Sequence, residues 1–145
     1  MDIRYEEVMH RINCLASDLD ALYHRAAVKF GLSDSVLMIL YFIYEKGGCC
    51  PLNTVRKESC LNKQTLNSAI RKLEGEGVVR LESSGGKTKN VYLTEHGKEY
   101  AKTTVARLFD AESHVFRDWT EEEIRQYLFL MEKYNSDFRR RIERL

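Results

Sequence analysis

One stretch, Leu61 to Thr94 (LNKQTLNSAIRKLEGEGVVRLESSGGKTKNVYLT), limits what this chain can fold into. Between Asn62 and Glu74 the apolar residues are Leu66, Ala69, Ile70 and Leu73. Their i, i+3, i+4, i+7 spacing is that of one helical face. At 100° per residue, Gln64, Ser68 and Arg71 fall opposite, flanked by Thr65, Asn67 and Lys72. All six can hydrogen-bond and none is acidic, whereas a solvated helix face usually mixes in Glu or Asp. Asn62 is suited to the N-cap, and Gly75 and Gly77 end the helix. Val78-Val79-Arg80-Leu81 then predicts a short strand, Gly85-Gly86 a turn, and Val91-Tyr92-Leu93 a returning strand. A polar helix face followed by a basic hairpin is the layout of a winged helix-turn-helix, with one helix set for the major groove of DNA.

Charge follows the same division. Net charge over the 145 residues is only +1. Residues 56–90, however, carry 8 Lys/Arg against 4 Asp/Glu, a local net of +4, where phosphate contacts would need it. The segments 1–55 and 91–145 are net −2 and −1.

The flanking segments read as helices. From Ile3 to Phe30, the residues Tyr5, Val8, Ile12, Leu15, Leu19, Leu22 and Ala26 step by 3 and 4, a heptad-type seam. Gly31 ends that helix. Ser33 caps the next, with Asp34 at the positive end of its dipole. Its body, Val36 to Tyr44, is apolar all round and predicts a central buried helix. Pro51 fits the first position of a short helix reaching Ser59, anchored by Leu52 and Val55. Thr94 caps a helix running to Arg117, with Ala101, Thr104, Val105, Leu108, Ala111 and Val115 on one face. Thr120-Glu121-Glu122-Glu123 is a capping box. The helix it opens carries Ile124, Leu128, Met131, Phe138, Ile142 and Leu145 on a second seam, with Asn135 in the gap. A single helix cannot bury such a seam against itself, so the N- and C-terminal helices are expected to build a homodimer. The predicted fold is mainly α with a small antiparallel β-hairpin, in one domain over 1–145. Residues 50–94 form the winged helix-turn-helix lobe, and residues 1–32 and 95–145 the helical dimerisation region.

No apolar run approaches the ~20 residues of a membrane span, and the charged N-terminus MDIRYEEVMH lacks a signal core. The chain is therefore expected to be cytoplasmic, without membrane contact, and its cysteines reduced.

With these elements in order the chain resembles the MarR family of winged-helix transcriptional regulators. The likeness is carried by Thr65, Leu73-Glu74, Gly77-Val78-Val79-Arg80, and Leu93-Thr94 with Gly97. It implies a homodimer on a pseudo-palindromic operator, with a repressor role and release by a small ligand. One departure stands at the wing tip. The family wing usually carries an Asp-x-Arg pair, but here the tip is Ser83-Ser84-Gly85-Gly86-Lys87-Thr88-Lys89. Lysine offers a point charge and no planar fork.

The expected DNA-binding residues are Lys63, Gln64, Thr65, Asn67, Ser68, Arg71, Lys72, Lys87 and Lys89. Gln64 and Asn67 suit adenine and Arg71 guanine or phosphate, while Thr65 suits phosphate or packing. Tyr23, Tyr41 and Tyr44 are candidates to line a pocket for a small aromatic ligand. Cys14, Cys49, Cys50 and Cys60 lack the C-x-x-C spacing of a zinc site and are expected to be small half-buried core thiols. A thiol redox-sensing regulator is the alternative use for them, and it would need an exposed thiol of low pKa. His10, His24, His96 and His114 are scattered, and His10 and Cys14 stand at i, i+4. His96 is expected on the surface of the first turn of its helix. No metal or cofactor is predicted. No phosphate loop or nucleophile elbow is present, because Ser84-Gly85-Gly86-Lys87 lacks the Walker spacing, and no enzyme is expected. A winged-helix protein-interaction module is a further alternative, for which neutral or apolar faces would be the signature.

Overall fold

The computed structural model describes residues 3–83 and 85–145. Ser84 of the wing tip and the first two residues of the charged N-terminus, Met1 and Asp2, lie outside the described residues. The elements are α1 (Tyr5–Phe30), α2 (Asp34–Glu45), β1 (Cys49–Pro51), α3 (Leu52–Ser59), α4 (Lys63–Gly75), β2 (Val79–Ser83), β3 (Lys89–Leu93), α5 (Glu95–Thr103), α6 (Val105–Val115), a 3-10 turn (Phe116–Asp118) and α7 (Glu121–Ile142). The fold is thus mainly helical, with a small antiparallel sheet, as the sequence predicts. No single helix among the described residues is long and apolar enough to cross a membrane.

The chain divides into two compact units, Met1–Leu108 and Phe109–Leu145. In the first, α2 is the hub. Val36, Leu37, Ile39, Leu40 and Ile43 are all buried, and the Ser33 hydroxyl accepts from the Val36 N–H at 3.3 Å. Around them close Val55 of α3, Leu66 and Leu73 of α4, Val78, Val91 of β3 and Val105 of α6. An all-round apolar helix needs neighbours on most sides, and this packing provides them except along Met38, which is exposed, and Tyr41 and Phe42, which are half-buried. Gly31 ends α1 in the left-handed region, at φ 68°, with its N–H returned to α1 carbonyls.

The sheet order is β1-β3-β2, antiparallel throughout. Cys50 and Leu81 flank Val91 from the two sides. β1 is a correction to the sequence reading, which has Pro51 opening a helix. Pro51 instead closes an edge strand and serves as the N-cap residue of α3. Proline has no N–H to donate, so the end of an edge strand suits it.

A second correction falls after the wing. The single helix expected from Thr94 to Arg117 is broken at Thr104, where φ is −127° and ψ −98°. Thr103 and Thr104 both turn their hydroxyls onto the Tyr100 carbonyl, each at 2.9 Å. Hydroxyls that compete for helix carbonyls, in a β-branched run Thr103-Thr104-Val105, favour a bend.

The second unit holds the end of α6, the 3-10 turn and α7. Thr120 and Glu123 form the reciprocal capping box, with the Thr120 N–H donating to Glu123 Oε2 at 2.7 Å and the Glu123 N–H to Thr120 Oγ1 at 3.2 Å. Trp119 stands edge-on to Phe116 (5.3 Å) and to Tyr127 (5.5 Å). No residue of α7 is buried.

Candidate nucleic-acid interface

The recognition-type helix α4 is fixed at its start and along one face. Asn62 Oδ1 accepts the Thr65 N–H at 2.8 Å. Leu66, Ala69, Ile70 and Leu73 are buried, so the opposite face must point outward. Lys63, Gln64, Ser68, Arg71 and Lys72 are exposed there, while Thr65 and Asn67 are half-buried. The hairpin carries Lys87 and Lys89, both exposed. Gly85 and Gly86 turn it at φ 89° and 76°, and Thr88 Oγ1 donates to the Gly85 carbonyl at 3.4 Å.

The cations of this surface differ from many others in the molecule. Elsewhere some exposed cations are taken up by carboxylates, namely Lys46 by Glu58 (3.1 Å), Lys98 by Glu95 (2.8 Å), Lys102 by Glu99 (2.7 Å) and Arg125 by Glu121 (3.2 Å), while others such as Arg11, Lys29, Arg117 and Lys133 have no carboxylate partner among the described residues. Among the described residues, Lys63, Arg71, Lys72, Lys87 and Lys89 have no such partner. The local potential of α4 and the wing is therefore not cancelled by internal pairing.

Arg80, the wing arginine, is engaged inside the hairpin. Its guanidinium lies 4.9 Å from the centre of the Tyr92 ring, and its Nε donates to Glu82 Oε1 at 2.8 Å. Arg80 and Tyr92 are cross-strand partners, so this contact ties β2 to β3.

Sequence reasoning missed one part of the surface. Ser33, Ser35 and Val36, at the start of α2, join Gln64, Thr65, Ser68, Ala69 and Lys72 around a notch of about 350 Å³. Ser33 reads from sequence only as a cap. What puts it beside α4 is the packing of α2, which leaves no local signal.

A larger cavity, about 510 Å³, lies between α1 and α2. Its lining includes Tyr23 and Tyr41, with Leu37, Met38, Phe42, Leu108, Asp20, His24 and Asp34. Tyr44, the third tyrosine expected there, is half-buried against the core and not part of the lining. The α2 side of the cavity is the stripe 37, 38, 41, 42, which stops one turn short of Tyr44.

The cysteines are not uniformly half-buried, which corrects the sequence reading. Cys50 is buried and Cys49 half-buried, but Cys14 and Cys60 are exposed. Burial pushes the Cys50 thiol up to about 11, with the neighbouring Cys49 adding to the shift. Cys14 Sγ lies 3.6 Å from His10 Nε2 on the outside of α1, and Cys60 sits in the left-handed turn between α3 and α4. His96 is on the first turn of α5, exposed, its ring stacked on Tyr100. Among the described residues no three His, Cys, Asp or Glu side chains are grouped to hold a metal ion.

No protein-family model and no curated protein matches the chain. Solved structures do. A MarR family regulator from Neisseria meningitidis is similar at a TM-score of 0.78 and 17% identity, covering 98% of each chain. The MarR family regulator AbsC from Streptomyces coelicolor is similar at 0.72 and 21%, covering 96% of this chain and 97% of its own. Reduced AbfR, solved bound to DNA, is similar at 0.63 and 20%, covering 92% of each. At these identities the likeness is one of fold, and over nearly the whole length this chain is a winged helix built as the solved MarR family regulators are built.

Proposed function

We propose that the chain is a sequence-specific, duplex-DNA-binding transcriptional regulator that acts as a homodimer. The observation that carries this reading is the acid-free polar face of α4 beside a basic hairpin, with five cations that have no carboxylate partner among the described residues. Gln64, Asn67, Ser68 and Arg71 contact base edges, and Lys63, Thr65, Lys72, Lys87 and Lys89 contact phosphate. Two copies of α4 enter successive major grooves of a pseudo-palindromic operator, roughly 34–36 Å apart. Residues 50–94 are the DNA lobe, and residues 1–32 and 95–145 supply the dimer. The dimer is supported by apolar rows that stay about half exposed or more among the described residues. Leu15, Leu19 and Leu22 of α1 are 64, 49 and 56% exposed, and Leu128, Met131, Phe138 and Ile142 of α7 are 45–53% exposed. The protein is a repressor, released when a small aromatic ligand enters the cavity beside Tyr23 and Tyr41.

The protein-interaction alternative calls for a neutral or apolar face, and the exposed residues of α4 provide none. The redox alternative gains nothing from Cys50, whose thiol is buried and hard to ionise.

Binding to operator and random duplex over a salt series tests the reading. Arg71→Ala is expected to relax preference at one symmetric pair of operator positions by about 1–3 kcal/mol. Lys87→Ala with Lys89→Ala should weaken binding to every sequence alike and flatten the salt dependence, because fewer counterions are released. Unchanged affinity and salt slope in both variants would refute the DNA role of this surface.

A further inference from the structure

The cavity between α1 and α2 has a charge signature of its own. Its charged side chains are Asp20, Asp34 and His24, and no Lys or Arg lines it. Asp34 is committed, since its Oδ1 meets His24 Nδ1 at 2.8 Å. Asp20 has no ion-pair or hydrogen-bond partner among the described residues. Arg107, the cation beside the lining residue Leu108, is turned away, its guanidinium 5.7 Å from the centre of the Phe30 ring. The rest of the lining is Leu37, Met38, Phe42 and Leu108, with the aromatic surfaces of Tyr23 and Tyr41. At about 510 Å³ the space lies within the range of small-molecule sites, which are mostly apolar with a few polar groups that fix orientation.

We infer that this cavity takes a cationic amphiphile: an aromatic or aliphatic body carrying a primary or substituted ammonium. The body seats on Leu37, Met38, Phe42 and Leu108. The ammonium faces the Asp20 carboxylate, and the electron-rich faces of tyrosine rings favour the same charge. An anionic ligand of equal size, a carboxylate or a phenolate, would enter a site holding two carboxylates and no Lys or Arg, whose one basic ring, His24, is already engaged by Asp34. The inference rests on reading this cavity as the effector site, and it names the effector's charge.

Calorimetric titration of the full chain without DNA, using three probes of one shape, tests it. The probes are naphthylethylamine, naphthylethanol and naphthylacetate. The amine is expected to bind about tenfold more tightly than the alcohol, with the acetate weakest. Asp20→Asn keeps the exposed side-chain shape and removes only charge. It should bring the amine to the level of the alcohol and leave the alcohol unchanged. Equal binding of all three, tighter binding of the acetate, no binding by any, or an amine preference that survives in Asp20→Asn overturns the inference. DNA binding of the unliganded protein is measured separately. Operator binding without an amine preference defeats the inference alone. Amine binding without operator binding defeats the regulator reading and leaves the cavity assignment standing.

Discussion

Gly97→Ala is the substitution whose consequence can be worked most directly from the geometry. Gly97 lies in the first turn of α5, where its N–H donates to Thr94 Oγ1 at 2.9 Å. That turn is pressed on the start of the wing: the Thr94 N–H donates to the Val78 carbonyl at 3.1 Å, and the Thr94 hydroxyl to the Gly77 carbonyl at 2.5 Å. A Cβ at position 97 would stand 1.9 Å from the Val78 oxygen and 2.9 Å from its carbonyl carbon. The atoms it meets are backbone, so no side chain can swing aside. Relief requires α5 to withdraw by more than an ångström, which breaks the Thr94–Val78 bond. Overpacking of this kind costs up to about 3 kcal/mol, and the lost hydrogen bond about 1 more. Alanine returns about 1 kcal/mol through helix propensity. The net expectation is a loss of about 3 kcal/mol, or roughly 10 °C in Tm for a chain of this size. Gly75→Ala is the control, because a Cβ there meets nothing within 4 Å and the residue is helical. It should leave stability unchanged or raise it by up to about 1 kcal/mol. Urea unfolding followed by circular dichroism at one fixed protein concentration measures both. If Gly97→Ala falls within about 0.5 kcal/mol of the unsubstituted protein, the packing of α5 on Val78 has been misjudged.

Asn62→Ala removes the acceptor for the Thr65 N–H and should cost about 1 kcal/mol in urea unfolding, with DNA affinity falling further than stability because Gln64 and Thr65 share that first turn. Met131→Glu with Phe138→Glu places charge on the α7 row and should yield a monomer at micromolar concentration by sedimentation equilibrium, whereas an unchanged dimer would remove α7 from the interface. For Cys50, burial raises the thiol from 9.0 to about 11, so the folded state holds this proton more tightly than the unfolded state. Its contribution is complete below about 9 and is lost as pH rises towards about 11, so stability should fall more steeply across that window than in Cys50→Ala.

What could be read from the chain was whatever repeats with a period or sits at a cap. Leu66, Ala69, Ile70 and Leu73 are buried because a 3.6-residue period leaves one face to bury, and the polar face followed from it. Ser33, Asn62, Thr94 and Thr120 all cap helices, since a side-chain oxygen beside an unsatisfied N–H is a local bargain struck within four residues. What escaped was short or distant. Three residues of β1 carry no periodicity, and Pro51 is compatible with either a helix start or a strand end. The bend at Thr104 depends on two hydroxyls competing for one carbonyl, which an apolar pattern does not register. The His24–Asp34 pair, the Ser33–Ser35 side of the notch and the exclusion of Tyr44 from the cavity all arise from how α1, α2 and α4 pack. Pairing of the surface cations was equally hidden, because composition counts Lys and Arg without saying which ones a carboxylate has already taken.

On the proposed reading, α1 couples the effector cavity to the dimer seam that sets the spacing of the two α4 helices. It runs 26 residues, about 39 Å at 1.5 Å per residue. Leu15, Leu19 and Leu22 form its exposed apolar row, and Asp20, Tyr23 and His24 its side of the cavity. At 100° per residue the two sets are centred about 120° apart on one helix, and they overlap along its axis. A helix is stiff over a few turns, so a ligand that displaces α1 at Tyr23 carries Leu19 and Leu22 with it. Those leucines pack on a partner in the proposed dimer, and a small rotation there alters the spacing of two α4 helices that must match successive major grooves. The ligand need not touch α4. It has only to favour one setting of α1 over another, and the change in operator affinity can then be no larger than its difference in affinity between the two settings.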